Sequence, residues 1–528
     1  MRKNLLFSLT TSVLLSLSFP PLKLGFLAYI ALIPLFFLLE DKNYRESIRW
    51  GFLTGLFINL GTLYWISWVT VPGAIAAILY LPIFVIIYSL LHTFIRLQLG
   101  EKYLYLCVPF LWTGVEYLRA LGVLGFPWCS LAYTQSYYLS LIQYVSFSSV
   151  YGVSFWVVTI NVVVLCLLRN LADSKKIILY FVILITLFII PWIYGKIVVP
   201  DDKNIPEEKI RVALIQGNID PYLKWDDAFL ESNLQIYEEM TRKAAEAKPQ
   251  LIIWPETAVP DYLRISNLYL TRLRELLSEL NTPLITGAPD FRYLNGETYE
   301  TYNAAFLLQP NSGSFDVYHK IHLVPFGERV PFTESIPFLK DLLESLEMGE
   351  GNFSPGHQVM SFNVPVNLAR TKPGDNSDQR SYIGVPVIIC FESLFPEMAR
   401  KFIQAGADIL VIITNDAWFK KSAAPFHHAQ IAVFRAIENR VSIARCANTG
   451  VSMFIDPYGR TQQSSRIFEK TILVDDILLK RDTTFFTKHG NVFTITITLL
   501  NIAPLIAALF FPKKHEERTS QEPTISIM

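Results

Sequence analysis

The feature that most constrains this chain is a series of long apolar runs, which fills the first 196 residues and recurs once near residue 500. An apolar run of about 20 residues can cross the hydrocarbon core of a bilayer as a helix. Charged residues make up 17% of the chain, against about 25% in an ordinary soluble domain, and the deficit falls in these runs. We therefore expect a membrane protein with eight crossings, at residues 5–19, 24–39, 51–71, 74–95, 103–120, 144–168, 177–194 and 492–511.

The first two runs are shorter than a full crossing, and we expect them to form a tight helical hairpin around Pro20 and Pro21. The start of the chain, Met1-Arg2-Lys3 followed by an apolar run, also has the charge pattern of a secretory signal peptide. No convincing small-residue cleavage site follows it, so an uncleaved anchor is the favoured interpretation.

Lysine and arginine residues in the short connections predict the orientation, because cationic loops resist translocation and stay in the cytoplasm. One set of connections carries 13 of these residues, whereas the other set carries three when the large hydrophilic segment is left out. We therefore expect both termini in the cytoplasm and the hydrophilic segment outside it. The predicted parts are a seven-helix membrane domain, a catalytic domain, an eighth crossing and a cytoplasmic tail, at residues 1–196, 197–490, 491–512 and 513–528.

Composition excludes two other classes of protein. The 46 basic and 46 acidic residues cancel, so the chain lacks the strongly basic surface of a nucleic-acid binder and no nucleic-acid partner is expected. The five cysteines include no C-x-x-C pair, so disulfides are not expected to organise the fold.

The hydrophilic segment alternates between short apolar runs of strand length and amphipathic stretches, a pattern typical of an α/β domain. It predicts ten strands and four helices, and so many strands with few helices predict stacked sheets. The Gly- and Pro-rich residues 348–382 predict a long loop with one short strand, and loops of this length are usually functional lids or disordered. The tail after Pro512 is expected to be disordered.

Three reactive side chains, Glu256, Lys320 and Cys390, follow apolar runs at the point where each predicted strand ends. Sheets of α/β domains place their sites at such ends. A thiol attacks as the thiolate, so it needs a base to take its proton and a positive charge to stabilise the anion. Glu256 and Lys320 supply these, and Lys320 with the backbone N–H after Cys390 can hold an oxyanion. Each residue alone also fits a structural role, but together the three predict acyl transfer.

These residues carry a resemblance to the nitrilase superfamily. The Glu-Lys-Cys signatures of that superfamily resemble W-P-E-T at residues 254–257, H-K-I-H-L-V-P-F-G-E at 319–328 and C-F-E at 390–392. The resemblance implies a stacked-sheet αββα domain in which the three residues form the catalytic triad.

Other segments resemble one membrane-embedded branch of that superfamily, the apolipoprotein N-acyltransferases, and the likeness spans nearly the whole chain. It implies a bacterial inner-membrane enzyme with eight crossings and a periplasmic catalytic domain. The matching segments are Q-G-N at 216–218, T-N-D-A-W-F at 414–419, R-A-I-E-N-R at 435–440, N-T-G at 448–450, E-Y-L-R at 116–119 and G-F-P-W at 125–128.

The same resemblance implies a ping-pong reaction without metal or nucleotide cofactor. A fatty acyl chain would pass from a phospholipid to a Cys390 thioester, and then to the α-amine of a diacylglyceryl-modified N-terminal cysteine on a lipoprotein. Glu256 would move the protons in both halves, and Lys320 would stabilise the oxyanion.

Supporting residues carry over by position. Glu328 matches a second essential carboxylate and is expected to orient Lys320 or the acyl intermediate, although a turn carboxylate beside Arg329 is the alternative. Trp225 and Glu392 match positions that the family needs for full activity. Phe391 stands where the family often has Tyr, so the backbone N–H is retained and a phenolic hydroxyl is absent.

Residues of the membrane part are candidates for lipid binding, because ionisable groups in a bilayer are costly. Glu116 and Arg119 lie one helical turn apart and are expected either to pair with each other or to contact a lipid head group. Trp128 and Trp418 are candidates for lipid contact, although Trp is also an ordinary interface anchor.

Two alternatives stay open from the sequence alone. A membrane-tethered amidase would use the same triad with water as the acceptor, but it would not need seven crossings before its domain. A transporter with an outer binding domain would leave the triad unexplained. The pairs His319/His322 and His427/His428 are weak metal candidates, because no third ligand accompanies them at a convincing spacing.

Overall fold

The structure is a computed structural model. It describes residues 1–201, 208–221, 223, 227–295, 298–331, 353–366, 381–480 and 482–510. Trp225, most of the predicted loop at 348–382 and the tail after Pro512 lie outside the described residues.

Helices occupy all of the predicted crossings, and four helical stretches of the described residues are long and apolar enough to span a membrane. These four are Val71–Leu99, Val145–Arg169, Ser174–Val198 and Val492–Phe510. The other predicted crossings fall short because their helices are shorter or carry charges at their ends. They are Arg2–Ser18, the stretch Gly25–Leu39, Tyr44–Leu63 and Glu101–Arg119.

Two of the long helices differ in their surroundings. Val145–Arg169 lies inside the helix assembly, with 72% of its apolar window buried, whereas none of the window of Ser174–Val198 is buried. Asn161 on the inner helix accepts a hydrogen bond from the Leu32 N–H and donates one to the Ala28 carbonyl. The second apolar run is interrupted between Gly25–Tyr29 and Ile33–Leu39, and Asn161 supplies hydrogen-bond partners for backbone groups at this interruption. Lipid hydrocarbon has no polar atoms that could do so.

The hydrophilic segment contains thirteen strands among the described residues. Their bounds are β1 Lys209–Gln216, β2 Leu251–Ile253, β3 Leu284–Asn295, β4 Thr298–Leu308, β5 Phe315–His319, β6 Phe362–Pro365, β7 Tyr382–Val385, β8 Val387–Ile389, β9 Leu410–Thr414, β10 Ile443–Ala447, β11 Met453–Ile455, β12 Thr461–Ser464 and β13 Thr471–Leu478. Six strands form one sheet in the order β13-β1-β2-β3-β4-β5, and five form another in the order β12-β11-β10-β9-β8. β6 and β7 form a separate pair.

The two sheets stack because strand side chains alternate between two apolar cores. In β1, Val212 and Leu214 join the core that holds the second sheet, whereas Ala213 and Ile215 face helices Asp227–Ala245 and Asn267–Leu280. Helices Pro396–Gln404 and Ala424–Asn439 pack against the second sheet. The layers therefore follow the expected helix–sheet–sheet–helix order.

Three details of the strand prediction were wrong. The predicted strand at 385–389 is divided at Pro386, which lacks an N–H, into β7 and β8 in different sheets. β3 continues past the predicted end at Thr286 into a long hairpin with β4. β12 was not predicted, because its sequence T-Q-Q-S lacks an apolar run and it lies at a sheet edge.

Buried polar contacts join the α/β domain to the membrane helices. Glu438 pairs with Arg435, and its carboxylate also accepts hydrogen bonds from the Ser149 hydroxyl (2.7 Å) and the Val150 N–H (3.0 Å). Ser149 has a φ of +56°, which kinks the inner helix there. The carboxylate thus accepts the Val150 N–H that the kink leaves without a helical partner, together with the neighbouring Ser149 hydroxyl.

Candidate active site

Cys390 begins a short 3₁₀ turn, Cys390–Leu394, directly after β8. Its φ of +51° is uncommon for a residue with a side chain, and such backbone strain is concentrated at functional sites. Burial raises the pKa of the Cys390 thiol, the charge of Glu256 raises it further, and the charge of Lys320 opposes them without prevailing. The resting thiol therefore carries its proton and needs a base at the moment of attack.

Glu256 follows β2 and is 6% exposed. Its Oε1 accepts a hydrogen bond from Asn303 Nδ2 (2.8 Å), and its Oε2 accepts one from the Asn415 N–H (2.8 Å). Gly287 on β3 permits this packing, since a Cβ there would lie 2.4 Å from the Thr257 nitrogen. The carboxylate is thus held from both sheets.

Lys320 follows β5 and is 1% exposed. Its Nζ donates to Glu328 Oε1 (2.9 Å) and to Glu256 Oε1 (3.4 Å). Burial lowers the pKa of Lys320, but the Glu328 and Glu256 carboxylates raise it by more, so the net pKa is above its ordinary value. Lys320 is therefore a buried ammonium that can face a developing negative charge.

Glu328 has both of the roles that the sequence left open, since it contacts Lys320 and also belongs to a turn. Its Oε1 binds Lys320, and its Oε2 accepts a hydrogen bond from the Val324 N–H at 2.8 Å. Glu328 therefore orients the Lys320 side chain and also closes the turn from Val324 to Glu328.

Asn303, in the middle of β4, was missed by the sequence analysis. Its Nδ2 donates to Glu256 Oε1 (2.8 Å) and to Glu328 Oε1 (2.7 Å), so one amide group lies between two carboxylates. The only signal in the sequence is a polar residue inside an otherwise apolar run, Tyr302 to Leu308.

Glu392 connects the cysteine turn to the lysine loop. Its fully buried carboxylate accepts hydrogen bonds from the Tyr318 hydroxyl (2.6 Å) and from the N–H groups of Ile321 (2.8 Å) and Ile389 (2.7 Å). Burial raises the pKa of Glu392, although the hydrogen bonds oppose this shift. The residue expected to support activity therefore fixes two parts of the triad relative to each other.

A second polar cluster behind Cys390 was also missed. Asp416 Oδ1 lies 2.8 Å from His428 Nδ1, and Asp416 Oδ2 accepts a hydrogen bond from Arg445 Nη2 (2.9 Å). Burial raises the pKa of Asp416, but Arg445 and His428 lower it by more, so it falls well below its ordinary range. Asp416 is therefore ionised.

Among the described residues, Cys390, Asp416 and His428 form the one group whose ligand atoms lie close enough for a metal ion, within 4.8 Å of one another. Arg445 already neutralises the aspartate, and the imidazole nitrogens face Asp416 and the Cys390 carbonyl. This donor set does not favour a cation. The His319/His322 pair separates, since His319 binds Asp290 and the His322 ring packs on Phe395.

Comparison with known proteins identifies the family. Two family models match consecutive parts of the chain: the apolipoprotein N-acyltransferase N-terminal domain at residues 11–163 and carbon-nitrogen hydrolase at residues 211–483. A protein of Geobacter metallireducens named apolipoprotein N-acyltransferase is 37% identical, over 97% of this chain and 96% of that protein. The chain belongs to the apolipoprotein N-acyltransferase family. A Chlorobaculum tepidum protein of the same name is 32% identical, over 96% and 97% of the two chains.

Solved structures similar to this N-acyltransferase match about half of its chain. An amidase from Nesterenkonia sp. has a TM-score of 0.35 at 20% identity and covers 52% of this chain and 92% of its own. Saccharomyces cerevisiae Nit3, of branch 10 of the nitrilase superfamily, has a TM-score of 0.37 at 20% identity and covers 51% and 90%. The nitrilase-like character of the α/β domain rests on the carbon-nitrogen hydrolase match.

In this N-acyltransferase, Glu116 and Arg119 bind the loop that follows their helix. The Leu131 N–H donates to Glu116 Oε1 (2.7 Å), and Arg119 Nη2 donates to Ser130 Oγ (3.3 Å). Within the part of the chain that the structure describes, the two side chains form no ion pair with each other. The alternative that they pair is therefore wrong, whereas lipid contact stays a prediction.

Aromatic residues of the membrane part pack against the turns Cys390–Leu394 and Asp416–Phe419. Trp128 is buried, and its ring lies 5.7 Å from that of Phe419 and 5.3 Å from that of His428. Trp418 is half-buried in the turn Asp416–Phe419, and Phe391 packs on Phe126, with 6.2 Å between ring centroids. The loop between helix Glu101–Arg119 and the 3₁₀ turn Leu131–Gln135 thus forms one wall of the site around Cys390.

Proposed function

We propose that this chain transfers a fatty acyl chain from a membrane phospholipid to the N-terminal α-amine of a diacylglyceryl-cysteine lipoprotein, through a thioester on Cys390. The observation that carries the proposal is the buried Glu256–Lys320 pair, whose charges both act on the Cys390 thiol. The names of the two relatives support the lipoprotein acceptor, and the aromatic wall from the membrane part supports a lipid donor.

In the first half-reaction, Glu256 takes the thiol proton as the Cys390 sulfur attacks the carbonyl carbon of the phospholipid ester. The Lys320 ammonium and the Phe391 N–H hold the resulting oxyanion. When the intermediate collapses, the carbon–oxygen bond breaks and Glu256 returns its proton to the leaving lysophospholipid oxygen. An acyl thioester remains on Cys390.

In the second half-reaction, the neutral α-amine of the lipoprotein attacks the thioester carbon and Glu256 takes a proton from the nitrogen. The carbon–sulfur bond breaks, an amide forms, and the proton passes to the Cys390 sulfur. Lys320, held by Glu328, stabilises the oxyanion in both halves, so one set of groups serves both half-reactions.

We also propose the membrane topology implied by the charge asymmetry of the connections. The chain lies in a bacterial inner membrane with eight crossings and both termini in the cytoplasm, and the catalytic domain lies in the periplasm. The four long apolar helices support membrane insertion. Labelling of an engineered surface cysteine at Glu246, which is exposed, tests the side of the membrane in intact spheroplasts.

The decisive experiment is the intact mass of the purified protein after incubation with phospholipid, followed by addition of a diacylated lipopeptide. We expect an acyl-sized adduct in the native chain that moves to the peptide amine. We expect no adduct in Cys390→Ala, whereas the matched control Cys107→Ala, at a half-buried cysteine of a membrane helix, forms it normally.

The two other outcomes would contradict the proposal. An adduct that is lost to water at the same rate with or without peptide would identify a hydrolase of the amidase type. Absence of an adduct with every phospholipid tested would exclude covalent catalysis by Cys390.

A further inference from the structure

The carbonyl group of Cys390 has an unusual environment. With a φ of +51°, Cys390 leaves the strand ladder after Ile389, and its carbonyl oxygen accepts hydrogen bonds from two side chains. Ser393 Oγ donates to it at 2.8 Å, and His428 Nε2 lies 3.1 Å from it. Both side chains are buried, so water does not replace them.

His428 is fixed as a donor to this carbonyl. Its Nδ1 lies 2.8 Å from the ionised Asp416, and its Nε2 lies near the Cys390 carbonyl and the Ser393 hydroxyl. Because Ser393 gives its own hydrogen to the carbonyl, every neighbour of the imidazole can accept. The contacts are therefore satisfied when the ring donates from both nitrogens.

The aspartate that holds His428 is itself fixed from three sides. Arg445 Nη2 donates to Asp416 Oδ2 (2.9 Å), and Thr414 Oγ1 donates to Asp416 Oδ1 (3.0 Å). A Cβ at Gly450 would lie 2.2 Å from Asp416 Oδ2, so only glycine leaves room for the carboxylate. This requirement explains a glycine in the N-T-G segment, for which the sequence offered no reason.

We propose that the Asp416–His428 pair aims the Phe391 N–H at the oxyanion, by holding the opposite end of the same peptide plane. The Cys390 carbonyl and the Phe391 N–H belong to one planar trans peptide, so they point in opposite directions. Fixing the carbonyl toward His428 therefore fixes the N–H on the other side. Asp416 and His428 are positioning residues in this role, and the inference rests on the proposed acyl transfer at Cys390.

The proposed positioning role predicts different effects on two reactions of the Cys390 thiol, acylation and alkylation. Acylation passes through an oxyanion and needs the Phe391 N–H, whereas alkylation by iodoacetamide is a displacement at a saturated carbon and forms no oxyanion. A residue that only supports the fold would affect both reactions together. A residue that aims the N–H affects acylation alone.

The experiment compares His428→Asn with His428→Gln in the full chain. The Asn nitrogen can replace Nδ1 but does not reach the carbonyl, whereas the Gln nitrogen can replace Nε2. We expect His428→Asn to slow single-turnover acylation about 10- to 100-fold, below the cost of removing an oxyanion donor outright. The KM for phospholipid and the alkylation rate of Cys390 should stay within about threefold, and His428→Gln should recover acylation to within about fivefold of the native rate.

The neighbouring His427→Asn is the matched control, since His427 packs on Phe19 outside this cluster. Acylation at the native rate in folded His428→Asn, or an equal loss of acylation and alkylation, would overturn the inference. If His428→Asn does not fold, Gly450→Ala decides by the same two rates, because it displaces the Asp416 carboxylate that holds His428 while keeping the His428 side chain itself. Failure of the Cys390→Ala mass experiment would instead refute the proposed function itself.

Discussion

The two sheets of the catalytic domain contribute different kinds of residue to one site. The six-stranded sheet carries Glu256, Asn303 and Lys320, whose contacts link a carboxylate and an ammonium that both act on the thiol. The five-stranded sheet carries Cys390 and Asp416, and there the Asp416 carboxylate pairs with Arg445 and contacts His428 behind Cys390. In the proposed mechanism, one sheet therefore supplies the proton carrier and the ammonium that act on the substrate, and the other positions the nucleophile.

The difference follows from what each group must do during the reaction. A proton carrier has to change its charge, so its neighbours must tolerate both states. A positioning group works best when its charge never changes, which is why Arg445 and His428 keep the pKa of Asp416 low despite its burial. Substitutions on the two sheets should therefore give different kinetic signatures.

The largest effect is expected for Glu256→Gln. Loss of the general base should lower the rate of acyl-enzyme formation by about 10³- to 10⁴-fold, the upper part of the range for acid–base groups. The same change should speed alkylation of Cys390, because the Glu256 charge raises the pKa of the thiol and its removal increases the thiolate fraction at a given pH. Rates of iodoacetamide labelling between about pH 7 and pH 9 check the sign.

Glu246→Gln is the control for this experiment, since Glu246 is exposed at the end of an outer helix. In the native protein the labelling rate should still be rising at about pH 9, because burial and Glu256 raise the pKa of the thiol. A plateau near neutral pH would contradict the description of Cys390 as a protonated thiol.

Lys320→Met is expected to change the pKa of the Cys390 thiol in the direction opposite to Glu256→Gln. Removal of the ammonium should lower acylation about 10²- to 10³-fold, the cost of losing one oxyanion donor. It should also slow alkylation, because the Lys320 charge lowers the pKa of Cys390. The surface variant Lys243→Met controls for loss of a positive charge. Faster alkylation in Lys320→Met would show that the lysine does not stabilise the thiolate.

Glu392→Gln tests the connection between the sheets. The amide would place a donor against one of the N–H or O–H groups that now donate to the carboxylate, so the free energy of unfolding should fall by about 2–3 kcal/mol. A thermal melt in detergent measures this as a lower midpoint. Tyr318→Phe, which removes one donor and leaves the carboxylate, should cost about 1 kcal/mol. Equal midpoints for Glu392→Gln and the native chain would show that Glu392 does not connect the two loops.

The smallest effect is expected for Phe391→Tyr, which adds the phenolic hydroxyl that the resemblance discussed above implies at this position. The Phe391 ring packs among Phe126, Phe395 and His322, and burial with the nearby Lys320 charge lowers the pKa of His322 to about 4. The added hydroxyl meets a neutral imidazole, and both half-reactions should change less than about fivefold. Separate single-turnover rates for acylation and for transfer to lipopeptide check this, and a larger change in transfer would assign the hydroxyl a role there.

The sequence predicted what is local and missed what forms only in three dimensions. Glu256, Lys320 and Cys390 could be located because each follows an apolar strand run, and a sheet brings strand ends together. Asn303 and the Asp416–Arg445 pair could not, because residues far apart in the chain meet only when the sheets form.

Helix periodicity was also an incomplete guide in the membrane part. The spacing of Glu116 and Arg119 left a mutual pair and lipid contact both open, and it did not indicate the N–H of Leu131 and the hydroxyl of Ser130 that bind them. Hydropathy located the long apolar helices, yet it missed the short helices Leu131–Gln135 and Leu139–Ile142. It also could not show that the run at 24–39 would break where Asn161 binds the Ala28 carbonyl and the Leu32 N–H.

The contact between Glu438 and the kinked inner helix bears on how the enzyme can be dissected. A fragment cut free near residue 197 would keep Arg435 and Glu438 but lose Ser149 and Val150, leaving a buried carboxylate short of two donors. It would also expose to water the aromatic faces that Trp128 now covers. Crystallisation or inhibitor screening therefore requires the whole chain in detergent or nanodiscs, since the excised α/β portion lacks part of its own interior.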